Sequence, residues 1–138
     1  MRRIARTLSV AAAGLWGSAL VAQDAFDGQH MKKACGDYLV AAKDAAASTN
    51  SGSFESGRCA GFVQGAVAAH ALDLAVARAR TGHASSRICI PESTTLTDEV
   101  RAFHAYLTAN PSKLDNPGID LLYAALLDAF PCGERPAR

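Results

Sequence analysis

Apolar residues recur three and four positions apart in four stretches of the chain, a spacing that places them on one face of a helix. The sequence therefore predicts four helices, at about residues 30–47, 54–80, 96–109 and 117–130. No stretch of the sequence alternates convincingly between polar and apolar residues, as a half-buried strand would. The predicted fold class is all-α, a small disulfide-stapled bundle of about four helices.

Turn-forming and capping residues set the predicted boundaries between the first three helices. Residues 48–53 and 81–86 are rich in Ser, Thr and Gly and are predicted to be loops. Thr95, with Asp98 three positions later, resembles a capping box and predicts that the third helix begins there.

Prolines mark the remaining boundaries. Pro91 follows a segment predicted to be extended, because the residue before a proline disfavours the helical region. Pro111 and Pro131 are predicted to end the third and fourth helices. Asn116 before Pro117 predicts an N-cap with proline at the first helical position.

The second predicted helix carries two glycines, Gly61 and Gly65, on one face. Glycine inside a helix costs about 1 kcal/mol relative to alanine, so the pair predicts the close approach of another helix backbone. The apolar positions of this helix, predicted to be buried, are Phe62, Val63, Ala66, Val67, His70, Leu74 and Ala77. Those of the fourth helix are Ile119, Leu122, Tyr123, Leu126 and Phe130.

The N-terminus has the pattern of a secretory signal peptide. Three arginines precede an apolar stretch at 8–20, which is too short for an ordinary membrane span. Cleavage is predicted after Ala22, with Ala19 as a second site and an uncleaved anchor as the alternative. The predicted organisation is a signal peptide, 1–22, and a single helical domain, 23–138. No membrane span is predicted after signal cleavage, because the next most apolar run, 59–72, is interrupted by Gln64 and His70.

Charge and composition exclude several classes of protein. The 138 residues contain 14 Lys and Arg against 13 Asp and Glu, a balance that argues against a nucleic-acid binder. Charged residues make up 20% and hydrophobic residues 49% of the chain, which excludes a solvated, disordered protein.

The predicted export decides how the cysteines are interpreted. Cys35, Cys59, Cys89 and Cys132 form an even set in an oxidising compartment, which predicts two disulfides. A zinc site is the alternative, but no Cys-x-x-Cys pair occurs. If the helices alternate up and down, Cys89 and Cys132 meet at one end of the bundle, which leaves Cys35 to pair with Cys59.

The sequence contains none of the local motifs that would indicate an enzyme. There is no nucleophile elbow, zinc-binding His-Glu-x-x-His, phosphate-binding glycine loop or acidic metal loop. His70 and His104 fall at helical positions near the predicted core, where a packed histidine is more common than a ligand. We therefore expect no enzyme, no cofactor and no metal.

Five short blocks follow one another along the chain: Cys35 and residues 59–65, 89–91, 106–111 and 124–132. In their order and their cysteines, these blocks resemble the pattern of the Rap/Tai family of periplasmic immunity proteins from type VI secretion systems. The cysteines, the glycines at 61 and 65 and the prolines at 91, 111 and 131 are the fold-defining positions of this resemblance.

The resemblance implies a small helical periplasmic protein that binds a cognate cell-wall amidase effector and occludes its groove. It also implies a homodimer, because characterised relatives are often dimers. The rival hypothesis is a small periplasmic chaperone or stress protein of the acid-protective kind, and a third is a structural subunit of an envelope complex.

The family motifs do not identify the surface that contacts the effector. Loops carry binding residues more often than helices do, and the two candidate loops are 47–57 and 81–87. Each contains a residue type that dominates binding energy at interfaces, Phe54 in the first and Arg87 in the second. The alternative is that Phe54 packs at the start of its helix and that Arg87 is solvated.

Overall fold

The computed structural model describes residues 26–47 and 49–133. Within this part the chain forms four helices: α1 (Gly28–Lys43), α2 (Asn50–Thr81), α3 (Leu96–Ala109) and α4 (Gly118–Ala129). Short 3-10 turns cover Ala45–Ala47 and Pro111–Lys113, and the described residues contain isolated bridges but no strand. The all-α prediction is confirmed. The signal peptide predicted for 1–22 lies outside the described residues.

The connection between α1 and α2 lies about four residues earlier in the chain than the sequence predicts. Helix α1 ends at Lys43, because the Asp44 carboxylate accepts a hydrogen bond from the backbone N–H of Ala46 and turns the chain. Helix α2 begins at Asn50, with Thr49 as N-cap accepting from the N–H of Gly52 at 3.1 Å. The prediction of a loop at 48–53 was wrong from Asn50 onwards, because the Thr49 cap starts the helix there.

Helices α3 and α4 begin in different ways. The capping box at α3 is confirmed: Asp98 N–H donates to the Thr95 hydroxyl, and Thr95 N–H donates to the Asp98 carboxylate. The predicted Asn116 cap at α4 was wrong, since Pro117 is the N-cap and no side chain caps the helix. The start of α4 is bound by a distant segment instead. Gly118 N–H donates to the Phe26 carbonyl at 2.7 Å, and Gly28 N–H donates to the Asn116 carbonyl at 3.2 Å.

The core lies where α1 packs against α2 and α3, and α3 packs against α4. The rings of Phe26, Phe62 and Phe103 stack in series, with centroids 5.6 and 6.2 Å apart. Ile119 was predicted to be buried in α4 but is 39% exposed. The fully or nearly fully buried apolar residues are Met31, Ala34, Cys35, Cys59, Val63, Val100, Phe103, Leu107, Leu114, Leu121, Leu122, Ala125 and Leu126.

Both predicted disulfides are present, Cys35–Cys59 and Cys89–Cys132. Cys35 lies about as far before the end of α1 as Cys59 lies after the beginning of α2, so the two face each other across the antiparallel pair. Both are fully buried in the core, whereas Cys89 is exposed and Cys132 is half-buried.

Helix α2 extends well beyond the core that it helps to form. Cys59 and Val63 are its fully buried residues, and Leu72 on its opposite side is 65% exposed. An added Cβ at Gly61 or Gly65 would meet no atom within 4 Å. No described part of this chain makes the close helix approach that these glycines predicted.

By length and composition, α2 could cross a membrane. An 18-residue window within it has a mean hydropathy of 1.4, and 11% of that window is buried. The sequence prediction that no second apolar run reaches this length considered only residues 59–72, whereas the helix begins nine residues earlier and ends nine residues later.

Candidate partner-binding surface

Residues 82–95 form a segment without helix that returns alongside α2, and we call this segment the arm. It begins at Gly82, whose φ of 76° lies in the left-handed region that favours glycine. Gly82 N–H donates to the Arg78 carbonyl at 2.9 Å, which caps α2 and reverses the chain.

A hydrogen-bonded junction holds the arm against the exposed half of α2. Ser86 Oγ accepts from Ile88 N–H at 2.9 Å and donates to the Ile88 carbonyl at 2.8 Å. His70 Nε2 lies 3.1 Å from the same hydroxyl. Because the hydroxyl proton goes to Ile88, His70 is the donor in this bond. The edge of the His70 ring contacts Tyr123 of α4, with centroids 6.0 Å apart.

The middle of the arm is fixed to the end of α4. Cys89 N–H donates to the Phe130 carbonyl at 2.8 Å, and Cys132 N–H donates to the Arg87 carbonyl at 3.0 Å. The Cys89–Cys132 disulfide adds a covalent link. Since backbone bonds and a disulfide converge here, the arm is held in one position beside α2 and α4.

Two open grooves lie on either side of this junction, and they share His70, Leu74, Ser86 and Ile88 as a common wall. The first groove has a volume of about 480 Å³. Its remaining lining residues are Val67, Ala71, Arg78, Ala84, Cys89 and Ile90. The second groove has a volume of about 410 Å³. Its remaining lining residues are Asp73, Ser85, Arg87, Tyr123, Ala124 and Leu127.

The surface around the grooves is cationic. Arg78 lines the first groove and Arg87 the second, while Arg80 projects from the same end of α2. None of these three exposed arginines has an ion-pair partner among the described residues. Asp73 is the one carboxylate that lines either groove. The grooves therefore combine an apolar floor with unpaired positive charge at the rim.

The contact between His70 and Ser86 resembles part of a serine hydrolase site, but its hydrogen bonds are those of a structural link. The serine hydroxyl is engaged by both backbone groups of Ile88, so its proton is not directed at the histidine. No described carboxylate accepts a hydrogen bond from the His70 ring, as the orienting residue of a triad would. Residues 26–47 and 49–133 also contain no cluster of His, Cys, Asp and Glu able to hold a metal ion.

The two residues proposed from the sequence as partner anchors lie far apart. Phe54 is in the second turn of α2 and is 70% exposed, whereas Arg87 lies on the arm close to His70. Sixteen residues of helix separate Phe54 from His70, about 24 Å at 1.5 Å per residue. The two therefore belong to different surfaces, and Arg87 is the one beside a groove.

Several groove residues were not singled out by the sequence pattern. His70 was predicted to be a packed, hydrogen-bonded histidine, and this is confirmed by its bond to Ser86. Arg78 carried no local signal, because it is an ordinary helix residue until the chain folds back. Ser86 was assigned only to a predicted loop, and Tyr123 was predicted as an apolar position of the fourth helix rather than as a groove residue. The available signal was the length of the apolar pattern in α2, which exceeds what one small core can cover.

Comparison with family models shows a match over residues 27–132 to the Rap1a immunity proteins. The match covers most of the chain and all four cysteines. The chain belongs to the Rap1a immunity protein family. The family resemblance seen in the sequence is confirmed, and membership implies that the chain binds a cognate effector. Comparisons with curated proteins and with solved structures gave no match.

Proposed function

We propose that this member of the Rap1a family is a periplasmic immunity protein that binds a type VI secretion peptidoglycan amidase and occludes its groove without chemistry of its own. Family membership carries the proposal. The arm supports it, because a firmly attached, exposed segment that carries the unpaired Arg87 is suited to binding a protein surface.

The proposed location is the periplasm, reached by cleavage of the signal peptide after Ala22. Two disulfides among the described residues and no free cysteine are consistent with a compartment outside the cytoplasm. N-terminal sequencing of the protein from a periplasmic extract should begin at Gln23. An intact Met1 on protein from the cytoplasm would contradict both the export and the proposed site of action.

Titration against the enzyme tests the function directly. The purified mature protein is added to the amidase encoded by the neighbouring reading frame, and peptidoglycan hydrolysis is followed. Hydrolysis should stop at about one-to-one stoichiometry, as expected for tight binding. Unchanged hydrolysis at large excess, with no complex on a sizing column, would contradict inhibition. Suppression of aggregation of unrelated proteins at low pH would then favour the chaperone alternative.

The proposed contact to the amidase is Arg87 on the arm. Phe54 on α2 is the second candidate from the sequence, and the amidase reaches it only in a monomer, because the dimer proposed below buries it. Arg87→Ala should weaken inhibition, because it removes an exposed positive charge that is proposed to contact the amidase. The substitution breaks no ion pair within the described residues, so the fold should be unaffected. Phe54→Ala tests whether the surface of α2 around Phe54 also contributes to inhibition. If Phe54→Ala leaves inhibition intact while Arg87→Ala weakens it, the arm is the inhibitory element.

We also propose that the protein is a homodimer that associates through the solvent-facing side of α2. At 3.6 residues per turn, the residues on this side form one straight line opposite Cys59 and Val63. The line contains two large exposed side chains, Phe54 and Leu72, and otherwise small ones. In order, the residues are Phe54, Gly61, Gly65, Ala68, Leu72 and Ala79.

The line is complementary to itself when two copies of α2 pack antiparallel. In one two-fold symmetric register Leu72 faces Gly61 of the other copy, and Phe54 faces Ala79. Gly65 and Ala68 then meet near the symmetry axis, where small residues allow close backbone approach. The register also brings Arg80 of one copy towards Glu55 of the other along one flank. A symmetric dimer uses each of these contacts twice.

Sedimentation of the mature protein tests this interface. The wild-type protein should sediment as a dimer, and Gly61→Glu as a monomer, because the site has space within the chain but faces Leu72 of the second copy. Ala42→Glu, on the exposed side of α1, is the matched control and should remain dimeric. A monomeric wild-type protein would contradict the dimer, and its flotation with lipid vesicles would assign the face of α2 to a membrane surface.

A further inference from the structure

The two grooves beside the arm have the composition of a peptide-binding site. Their shared wall and floor supply apolar surface from Val67, Leu74 and Ile88, and their polar contacts come from single residues at the rim. Each groove is large enough for one apolar side chain and open enough to admit it from solvent. Protein sites of this kind combine apolar lining with a few placed polar groups.

The charge at the rim defines the chemistry of the occupant. Arg78 lines the first groove and Arg87 the second, and neither is neutralised by an ion pair within the described residues. By contrast Lys33, Arg58 and Arg101 each have a carboxylate partner. Of the described residues, Asp73 is the one acidic residue that lines either groove, so two arginines against one carboxylate leave the rims net positive. The rims therefore complement carboxylates supplied by another molecule.

The arrangement of the grooves suits an occupant in an extended conformation. The grooves are adjacent and share a wall formed by the link between His70 and Ser86. In an extended chain, residues i and i+2 point to the same side and lie about 7 Å apart. One extended segment can thus place two side chains in neighbouring grooves while its backbone crosses the wall.

We infer that the effector docks an extended segment across this wall, with apolar side chains at positions i and i+2 in the two grooves and flanking carboxylates on Arg78 and Arg87. This inference rests on the proposed function, since it names the chemistry of the effector surface that the immunity protein recognises. The dimer face of α2 lies on the other side of the helix, so the docking site stays open in a dimer.

A synthetic peptide tests the recognition without the effector. The probe is acetyl-Glu-Leu-Ser-Leu-Asp-amide, titrated into the ¹⁵N-labelled mature protein and followed by NMR. Shifts should concentrate at Arg78, Ser86 and Ile88. Replacing both acids by lysine, or both leucines by glycine, should weaken binding about tenfold or more. Equal binding of the glycine peptide would show attraction by charge alone and overturn the inference, as would absence of binding by the probe.

Charge reversal tests the same site in the protein. The variant Arg78→Glu with Arg87→Glu should bind the probe at least about tenfold more weakly, because attraction at two rim positions becomes repulsion. The control, Lys43→Glu with Lys113→Glu, carries the same change in net charge at exposed positions away from the grooves that have no ion-pair partner among the described residues, and it should bind like wild type. Equal loss in both variants would indicate a general charge effect and overturn the assignment.

Amidase inhibition distinguishes failure of this inference from failure of the proposed function. If the wild-type protein inhibits and the Arg78→Glu, Arg87→Glu variant inhibits equally well, the function stands and the docking site is wrong. Loss of inhibition in that variant alone supports the site. If the wild-type protein does not inhibit, the proposed function fails, and the peptide titration decides the inference by itself.

Discussion

Two glycines lie where no larger side chain fits. A Cβ on Gly118 would overlap the Phe26 carbonyl oxygen, and one on Gly28 would come within 2.8 Å of the Leu114 backbone. These contacts are the places where the segment before α1 passes the start of α4. The absent side chains allow the two backbones to hydrogen-bond directly.

Gly118→Ala should destabilise the protein by about 1–3 kcal/mol, because the added methyl group forces two backbones apart. Gly57→Ala is the matched control. Its Cβ would meet nothing within 4 Å, and it should stabilise α2 by up to about 1 kcal/mol. Urea unfolding of the three proteins measures the difference. Equal stability of Gly118→Ala and the wild type would contradict this prediction, because it would show that the two backbones can move apart at no cost in free energy.

Adjacent carboxylates at the start of α3 have pKa values shifted in opposite directions. Hydrogen bonds from Thr95, and the bond from Arg101, lower the pKa of Asp98. Burial, and then the Asp98 charge, raise the pKa of Glu99, which is 8% exposed. The capping carboxylate therefore stabilises the fold when charged, whereas the charge on Glu99 opposes folding.

Glu99→Gln should raise the thermal midpoint at neutral pH. A raised folded-state pKa means that the native protein holds this proton more tightly than the unfolded chain does. The cost of the charge is therefore absent below the ordinary carboxyl pKa and grows as pH rises through the raised value. The gain should vanish near pH 4. Asp98→Asn should do the reverse, with a loss at neutral pH that shrinks on acidification, and a gain at all pH values for Glu99→Gln would contradict the assignment.

At the scale of elements, the two disulfides connect parts of different accessibility. Cys35–Cys59 joins α1 to α2 inside the core, and both residues are 0% exposed. Cys89–Cys132 joins the arm to the end of α4 at the surface. Thiol reagents attack by direct approach to sulfur, so accessibility separates the two bonds.

A mild thiol reductant under native conditions should reduce Cys89–Cys132 first. Mass spectrometry after alkylation should find the label on Cys89 and Cys132, while circular dichroism shows that the helices persist. The reduced protein should bind the acidic probe peptide more weakly, because the arm loses one of its attachments to α4. Earlier labelling of Cys35 and Cys59 would contradict the order.

The element boundaries show where local sequence is sufficient. The capping box at α3 involves residues three apart, and the sequence predicted it correctly. The cap at α4 was wrong, because the N–H of Gly118 donates to the Phe26 carbonyl and the Asn116 carbonyl accepts from the N–H of Gly28. Both partners lie far away in sequence. The sequence around residue 117 cannot reveal such a contact, because the partner residues lie about 90 positions earlier in the chain.

At the scale of the whole molecule, the small core depends on covalent links. The 24-residue separation of Cys35 and Cys59 implies about 3.5 kcal/mol of stabilisation by loop entropy, and the 43-residue separation of Cys89 and Cys132 implies about 4 kcal/mol. Either value is a large fraction of the total stability of a small domain.

The variant Cys35→Ala with Cys59→Ala should therefore lose about 3.5 kcal/mol or more, since it also removes buried sulfur from the core. The variant Cys89→Ala with Cys132→Ala should retain more of its helical core and fail chiefly in the arm. Denaturant unfolding by circular dichroism and binding of the acidic probe peptide separate these effects. Equal peptide binding by wild type and the second variant would show that the disulfide is unnecessary for the arm's position.

The sequence by itself determined the fold class, the four helices, the family and, through the alternation of helix directions, the disulfide pairing. These follow from helical periodicity, local caps and motif order, which are properties of neighbouring residues. Tertiary structure alone decided that half of α2 remains uncovered, that Ser86 meets His70, and that Arg78 and Arg87 border adjacent grooves. These contacts join residues whose distance in space depends on where the arm folds back, and periodicity carries no information about that distance.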